Sequence, residues 1–133
     1  MNDAVVDASA LVFALTSRSA GADLTAERIS RLDTHAPHLV DAECGRALRN
    51  LVRRGEITAG QGHSALRSAH ALVDHRYDHD QALSEPAWTL RDQVGFDDAL
   101  YVALAARLDV PLVTGDRRLA AAHDLPCRVD LVG

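Results

Sequence analysis

Carboxylate side chains stand at the ends of the most apolar segments of this 133-residue sequence. They are Asp7 in AVVD, Asp41 and Glu43 after PHLV, Asp97 and Asp98 at the start of DDALYVALAARLD, and Asp116 after PLVTG. In open α/β sheets, ligands bind just beyond the carboxyl ends of the strands. Because these acids belong to four separate segments, we expect them to meet at one edge of a sheet.

A shared metal ion is the chemistry that such a group of acids would serve. Two carboxylates about 4 Å apart repel each other by about 4 kcal/mol at an effective dielectric constant near 20, so stability alone does not call for such a group. Mg²⁺ and Mn²⁺ prefer oxygen ligands and would remove this repulsion. In phosphoryl transfer, one or two such ions neutralise phosphate oxygens, orient a water molecule and stabilise the leaving oxygen.

Each acid also has a simpler interpretation in terms of helix ends. Asp7, Asp41 and Asp116 can cap the helices predicted to follow them. The other three acids would lie in first turns, where the helix dipole favours negative charge. Taken one at a time, capping is the commoner role for such residues. Convergence of the acids in space would therefore decide in favour of a metal site.

Apolar periodicity predicts strands and helices that alternate along the chain. The predicted strands are residues 4–7, 37–40, 110–116 and 127–132, with 75–80 as a weak strand or loop. The predicted helices are residues 8–16, 22–33, 41–54, about 58–73, 82–94, 97–109 and 117–123. Helix 97–109 is apolar on nearly all sides and should be buried. This alternation predicts an α/β protein with a mainly parallel sheet of about five strands, in one domain over residues 1–133.

Composition excludes several classes of protein. The 14 basic residues are all arginine, and the absence of lysine excludes a Walker A nucleotide loop and Schiff-base catalysis. The net charge of −5 argues against nucleic-acid binding through a generally basic surface. It still allows a nucleic-acid substrate that is held by a metal ion and local arginines. No apolar run approaches the roughly 20 residues of a membrane span. The acidic start does not resemble a signal peptide, so we expect a cytoplasmic protein.

Weaker patterns point to other ligands. GQGHSA (60–65) matches a dinucleotide-binding loop, but the polar segment before it is not a buried strand, so we attribute the match to chance. The seven histidines and two cysteines show no structural zinc spacing, which favours surface histidines and buried or half-buried thiols. A receiver-type signalling module would need a lysine. A phosphatase with an Asp-x-Asp pair would need an acid at Ser9.

Three stretches resemble the motifs of the PIN domain family, specifically its VapC-type toxin ribonucleases. VVDASALVFAL is similar to the first motif, with Asp7 as the first acid and Ser9 two residues later. DAECGRALRNLVRRGEI is similar to the second, with Glu43 as its acid. DDALYVALAARLDVPLVTGDRRLA is similar to the third and fourth, with Asp98 before Ala-Leu-Tyr and Asp116 in Thr-Gly-Asp. The resemblance covers essentially the whole chain.

The resemblance implies a PIN-like three-layer sandwich and an Mg²⁺- or Mn²⁺-dependent endoribonuclease that is the toxin of a type II toxin–antitoxin system. It also implies a homodimer that a cognate VapB-type antitoxin inhibits. Asp7, Glu43, Asp98 and Asp116 would be both the metal ligands and the catalytic residues. Asp97, one place before the third acid, would be a helix cap or an outer acid.

The sequence leaves the substrate and one functional alternative open. The RNA that is cut cannot be identified from these residues. Arginines that flank the acidic motifs could hold phosphates or could simply lie on solvated helix faces; they are Arg46, Arg49, Arg53, Arg54, Arg117 and Arg118. The alternative function is that of a catalytically weak PIN-like domain that acts mainly as a protein- or RNA-binding module.

Overall fold

A computed structural model describes residues 2–133 and contains a five-stranded, fully parallel sheet with the order β3-β2-β1-β4-β5. The strands are β1 (Asp3–Val6), β2 (Asp33–Pro37), β3 (His75–Tyr77), β4 (Leu112–Thr114) and β5 (Val129–Leu131). The helices are α1 (Ala8–Thr16), α2 (Ala20–Ser30), α3 (Leu39–Arg53), α4 (Ala59–Leu72), α5 (Gln81–Trp88), α6 (Phe96–Leu108) and α7 (Arg117–Ala121). The predicted α/β sandwich with a parallel sheet is therefore confirmed.

Strand β1 is the centre of the sheet. It pairs with β2 on one side and with β4 on the other, and its apolar residues Ala4, Val5 and Val6 are fully buried. After β1 the chain builds β2 and β3 on one side, and then crosses over to build β4 and β5 on the other. The strand order thus changes direction between β1 and β4. In parallel sheets the crevice beyond such a point is the usual place for a ligand.

Helix α6 is the most buried helix, as its sequence predicted. An unbroken run from Ala99 to Ala105 is buried, and the helix packs on β1, β2, β4 and α5. Gly95 precedes the helix in an extended conformation and makes no side-chain capping bond. Asp97 and Asp98 consequently lie in the first turn of α6, at the carboxyl-terminal edge of the sheet. Of the two roles expected for Asp97, that of a helix cap is wrong because Gly95 occupies the capping position, and that of an outer acid stays a prediction.

Polar side chains define where most of the other helices begin. The side chains of Asp7, Ser19, Thr58, Asp80 and Asp116 each accept a hydrogen bond from a backbone amide in the first turn of the helix that follows. These contacts satisfy amides that have no partner within the helix itself. Within residues 2–133, no helix has the length and the apolar character needed to cross a membrane.

The predicted strand at residues 37–40 is wrong. The strand lies earlier, at Asp33–Pro37, and His38 already has helical backbone angles, with φ −55° and ψ −28°. The true strand contains polar residues that find partners far along the chain. The amide of Thr34 donates to Asp74 Oδ2 at 2.9 Å, and the side chain of His35 contacts Tyr77 Oη at 2.8 Å. These long-range contacts make a polar segment a stable buried strand.

Other boundaries differ from the predictions by smaller amounts. Helix α5 ends at Trp88 instead of Val94, and residues 89–93 form turns instead. The weak strand predicted at 75–80 is real but short, since β3 covers His75–Tyr77. Helix α2 starts two residues earlier than predicted and ends before Asp33, which belongs to β2. Strands β1 and β4 end one and two residues earlier than predicted, so Asp7 and Asp116 lie just beyond their ends.

Two glycines of the α3–α4 pair provide a test of this packing. A Cβ atom on Gly62 of α4 would lie 2.9 Å from Val52 Cγ2, whereas a Cβ atom on Gly45 of α3 would meet only Leu66 Cδ1, at 4.0 Å. Replacing a helix-interior glycine by alanine gains about 1 kcal/mol in helix propensity. Overpacking against the stiff side chain of a helical valine costs about 1–3 kcal/mol. We expect Gly45→Ala to stabilise the protein and Gly62→Ala to destabilise it in urea unfolding; equal stabilisation by both would contradict the packing.

Candidate functional site

Asp7 is the most buried acid of the predicted site, with 5% of the residue exposed. It follows β1 and caps α1. Its Oδ1 accepts hydrogen bonds from Ser9 Oγ at 2.6 Å and from the amide of Ala10 at 2.9 Å, and its Oδ2 accepts one from Thr114 Oγ1. Burial raises the pKa of Asp7 above its usual value. The two hydroxyl donors oppose that rise, and the charge of Asp116 adds to it.

The same hydroxyls tie the end of β4 to the end of β1. Ser9 Oγ accepts a hydrogen bond from the amide of Gly115 at 2.8 Å, and Thr114 Oγ1 accepts one from the amide of Asp116 at 3.0 Å. Each hydroxyl therefore accepts a hydrogen bond from a backbone amide of the Thr-Gly-Asp turn and donates its own proton to the carboxylate of Asp7. A Cβ atom at Gly115 would lie 3.3 Å from the Ser9 carbonyl oxygen, so glycine suits the close approach.

Asp98 and Asp116 line one cleft. The cleft has a volume of about 330 Å³ and is formed by Gln93, Val94, Gly95, Asp98, Asp116, Arg118 and Leu119. Asp116 caps α7 through a hydrogen bond from the amide of Arg118 at 2.9 Å. The pKa of Asp98 is raised first by burial and then by the negative charges of Asp116 and Asp7. These two acids thus share one cleft, and the charge of the buried Asp7 acts on Asp98.

Glu43 reaches the group from α3. Its Oε1 accepts a hydrogen bond from Tyr101 Oη at 2.6 Å, and Tyr101 is only 1% exposed. Burial is the largest cause of the raised pKa of Glu43, followed among the neighbouring charges by those of Asp97, Asp7 and Asp98. Tyr101 lies three residues after Asp98 on α6, on the same face one turn later. The tyrosine therefore links the second and third acidic motifs.

The charges of the four predicted acids consequently act on one another at the switch point of the sheet. Among residues 2–133, Asp7, Glu43 and Asp98 form no ion pair with an arginine, and Asp116 has only Arg118 Nε, at 3.9 Å. Acids that repel each other without a balancing cation provide the oxygen donors that Mg²⁺ and Mn²⁺ prefer. An acid can cap a helix and also belong to the acidic group, as Asp7 and Asp116 do.

Two neighbouring acids have other surroundings. Asp41 makes a bidentate ion pair with Arg76, at 2.6 Å and 2.9 Å, which lowers the pKa of Asp41. Its carboxylate is therefore already neutralised by a residue of β3. Asp97 is exposed in the first turn of α6, although its charge raises the pKa values of Glu43 and Asp98. The two thiols are buried or half-buried, as predicted, and burial raises the pKa of Cys44 to about 12.

Sequence analysis missed the supporting roles of Thr114 and Tyr101. Thr114 is fully buried, and its hydroxyl closes the contact between β4 and Asp7. The available signals were the threonine of Thr-Gly-Asp and the spacing of three residues between Asp98 and Tyr101. Neither signal identifies the acceptor, because the partners Asp7 and Glu43 lie 107 and 58 positions away along the chain.

The raised carboxyl pKa values predict a pH dependence of stability in the metal-free protein. A group whose pKa is higher in the folded state binds more protons there, so stability falls as pH rises from near pH 4, its unfolded pKa, through its folded pKa. Asp7→Asn removes one such group and keeps a cap and hydrogen-bonding capacity. In EDTA, we expect the variant to gain stability relative to wild type as pH rises through this window.

Urea unfolding at a series of pH values measures that difference directly. The carboxyls with lowered pKa values are shared by both proteins and cancel in the comparison. Asp92→Asn, which removes an exposed acid, is the matched control for the loss of one carboxylate, and the gain of Asp7→Asn across this window should exceed its own. A difference between Asp7→Asn and wild type that stays constant with pH would count against burial of a charged Asp7.

Comparisons with known proteins identify the family of the chain. A family model described as the PIN domain matches residues 4–125. The chain is 50% identical over 132 residues to ribonuclease VapC1 of Mycobacterium tuberculosis (strain ATCC 25618 / H37Rv), and the match covers 99% of both chains.

Solved structures share the fold at lower identity. The crystal structure of VapBC2 from Rickettsia felis, bound to a DNA fragment from its promoter, has a TM-score of 0.70 at 14% identity, covering 98% of this chain and 99% of the other. A toxin–antitoxin complex from Klebsiella pneumoniae has a TM-score of 0.64 at 18% identity, covering 94% and 98%. Since the family model matches most of its length, the chain belongs to the PIN domain family, and its relatives there include VapC ribonucleases.

Proposed function

We propose that this protein is an Mg²⁺- or Mn²⁺-dependent endoribonuclease and the toxin of a toxin–antitoxin pair. The observation that carries the proposal is the placement of the acids at the switch point of the sheet. Thr114 ties Asp7 to the Thr-Gly-Asp turn, Tyr101 of α6 holds Glu43, and Asp98 and Asp116 line one cleft. The relative VapC1 is a ribonuclease by name, and it is similar along its whole length. RNA phosphodiester hydrolysis is a reaction that a metal ion held by carboxylates can perform.

The four acids would hold the ion, and the residues around them would fix their positions. An ionised carboxylate has about four lone-pair sites, and the three donors to Asp7 leave room for a cation. Tyr101 holds one oxygen of Glu43, and within residues 2–133 the other oxygen accepts no hydrogen bond. A bound Mg²⁺ or Mn²⁺ supplies Lewis-acid stabilisation of the phosphate and a nucleophilic water. We assign the four acids as metal ligands and catalytic residues on this basis.

Arg118 is the residue best placed to contact the RNA. It lines the same cleft as Asp98 and Asp116, and its side chain is 95% exposed. An exposed guanidinium beside the acids can bind a phosphate oxygen with two parallel hydrogen bonds. Such a contact would offset the unfavourable net charge of −5 near the point of cleavage. We assign Arg118 a role in substrate binding.

The remaining parts of the proposal concern the setting in which the enzyme acts. We propose a cytoplasmic homodimer, with residues 1–133 as one PIN domain, restrained by a VapB-type antitoxin. Support for the antitoxin comes from the fold, which also occurs in a toxin–antitoxin complex from Klebsiella pneumoniae.

The first test separates the two acids that begin α6. Asp98 is half-buried in the cleft beside Asp116, whereas Asp97 is exposed. Neighbouring residues on a helix point about 100° apart, so the two carboxylates do not face one ion equally. We expect Asp98→Asn to lower single-turnover RNA cleavage in Mn²⁺ by at least about 100-fold, because a ligand contributes several kcal/mol of charge stabilisation. Asp97→Asn should keep most of the activity, and EDTA should abolish cleavage by either active protein.

The outcomes of this test distinguish the alternatives. An inactive Asp97→Asn beside an active Asp98→Asn would shift the third ligand by one residue. A purified, folded wild type that cuts no RNA in Mn²⁺ would favour a binding module over an enzyme. Circular dichroism of each variant provides the control for folding.

The second test concerns the toxin. Expression without an antitoxin should slow growth through RNA cleavage, and Asp116→Asn should relieve that effect because it removes a proposed ligand. Asparagine caps a helix about as well as aspartate does, so α7 should remain intact in the variant. Growth curves, together with sequencing of RNA ends soon after induction, give the readout. Equal growth inhibition by wild type and Asp116→Asn at equal protein levels would show that toxicity does not arise at this site.

A further inference from the structure

A second group of side chains lies at the opposite end of the sheet, where the strands begin. It comprises Asp3 of β1, Asp33 and His35 of β2, and His75 of β3, and we call it the strand-start cluster. One potential ligand atom from each of Asp33, His35 and His75 lies within 4.8 Å of the other two. We propose that the strand-start cluster binds Zn²⁺, separately from the ion at the candidate active site.

Strand register explains how the cluster forms without a zinc-binding motif in the sequence. Asp33 and His35 are two residues apart on one strand, so their side chains project from the same face. In the parallel pairing, Asp3 is the partner of Asp33 and His75 is the partner of His35. Three strands therefore place two carboxylates and two imidazoles side by side. Spacing along the chain predicted no structural zinc site, because these side chains come together only through strand pairing.

Both imidazole rings direct Nε2 towards the carboxylates. His35 Nε2 lies 2.9 Å from Asp3 Oδ1 and 3.8 Å from Asp33 Oδ2, and His75 Nε2 lies 2.9 Å from Asp33 Oδ1. The two rings stack with their centroids 4.6 Å apart. Asp33 thus lies between the two imidazole nitrogens, and Asp3 offers a further oxygen beside His35. The donor atoms of a two-histidine, two-carboxylate site already face one another.

Tyr77 gives His35 the outer partner that metal-bound histidines usually have. His35 Nδ1 lies 2.8 Å from the Tyr77 hydroxyl oxygen. When Nδ1 donates its proton to that oxygen, Nε2 keeps a lone pair directed at the cluster. A hydrogen bond at the second nitrogen fixes the ring orientation and the tautomer of a ligand histidine. His35 is only 8% exposed, so its ring is also held by packing.

The charges of the cluster also favour a cation. Among residues 2–133, neither Asp3 nor Asp33 forms an ion pair with an arginine, whereas Asp41 and Asp130 each do. Among residues 2–133, the side chains that pair with these two carboxylates are imidazoles, and the N-terminal ammonium adds a positive charge near Asp3. Two carboxylates and two neutral imidazoles carry a total charge of −2. A divalent cation would neutralise it.

The donor types select the kind of cation. Imidazole nitrogen suits Zn²⁺, whereas Mg²⁺ requires oxygen ligands in an octahedron. Zinc–nitrogen distances are about 2.0–2.1 Å, so a tetrahedral ion needs its donor atoms about 3.3 Å apart. The donor pairs now at 2.9 Å would have to open slightly, and the pair at 3.8 Å would have to close. The side chains of Asp33 and His75 are 53% and 49% exposed, which leaves them free to make that movement. His35, with its side chain 11% exposed, would stay in place as the anchor.

The expected role of this ion is to hold the edge of the sheet. Strand β3 has three residues, pairs only with β2 and is mostly half-exposed. An ion that joins β2 to β3, with β1 contributing Asp3, would stabilise that edge. Asp3 and Asp7 lie four residues apart along β1, or about 13 Å at the usual rise of a strand. The two sites can therefore be tested independently.

Titration of Zn²⁺ into the metal-free full-length protein tests the proposal by calorimetry and by thermal melting. We expect Zn²⁺ to bind wild type and to raise its melting temperature. Asp33→Asn and His75→Asn alter exposed ligands, so both should fold, and each should weaken Zn²⁺ binding by more than the roughly 10–100-fold that losing an outer partner costs. Tyr77→Phe should weaken binding within that 10–100-fold range. His123→Asn, which changes an exposed histidine beyond α7, is the matched control and should bind as wild type does.

A variant of the other site separates this proposal from the proposed function. Asp98→Asn should still bind Zn²⁺ and still be stabilised by it, whatever its effect on RNA cleavage. Zn²⁺ binding that is lost in Asp98→Asn and kept in His75→Asn would place the ion at the candidate active site and overturn the proposal. Absence of Zn²⁺ binding to wild type at micromolar concentrations would also overturn it. Loss of RNA cleavage without loss of Zn²⁺ binding concerns the proposed function alone.

Discussion

A buried carboxyl group at the end of the central strand is the constraint on which the rest of the structure depends. Taking a carboxylate out of water is costly unless hydrogen-bond donors surround it. Asp7 meets this requirement with Ser9 and Ala10 of α1 and with Thr114 of β4. The donors come from both sides of the switch point, so satisfying one carboxylate fixes the start of a helix and the end of a neighbouring strand. The polar centre and the apolar core thus depend on the same contacts.

Helix α6 positions two further parts of the acidic group from within the core. Its buried run packs against three strands, and its first turn and its Tyr101 extend to the acidic edge. A helix held on nearly all sides has little freedom to turn or slide, because protein interiors are close-packed. The positions of Asp98 and of the hydroxyl that holds Glu43 are consequently set by apolar contacts far from the edge. This arrangement explains why such an apolar sequence begins with two acids.

Local sequence patterns predicted the parts of the fold whose causes are local. The apolar runs predicted β1, α6 and β4, and the acids beside their ends predicted Asp7, Asp98 and Asp116 as neighbours, to which α3 adds Glu43. The patterns failed at β2, where Thr34 and His35 are buried because Asp74 and Tyr77 satisfy them from about 40 positions away. They also could not show that Arg76 neutralises Asp41, or that strand register brings Asp33 and His75 together. A polar residue looks the same in a sequence whether its partner is water or a distant strand.

The distance along the chain between Asp7 and its partner Thr114, 107 positions, has a consequence for synthesis. Ribosomes add about 5–20 residues per second, so the first acid precedes the strand that completes its surroundings by roughly 5–20 s. During that interval a nascent chain has β1 but neither β4 nor the Thr-Gly-Asp turn. The acidic group is therefore assembled only after β4 has been translated. A truncated product that ends before β4 contains Asp7 and Glu43 but lacks Asp116, the fourth acid.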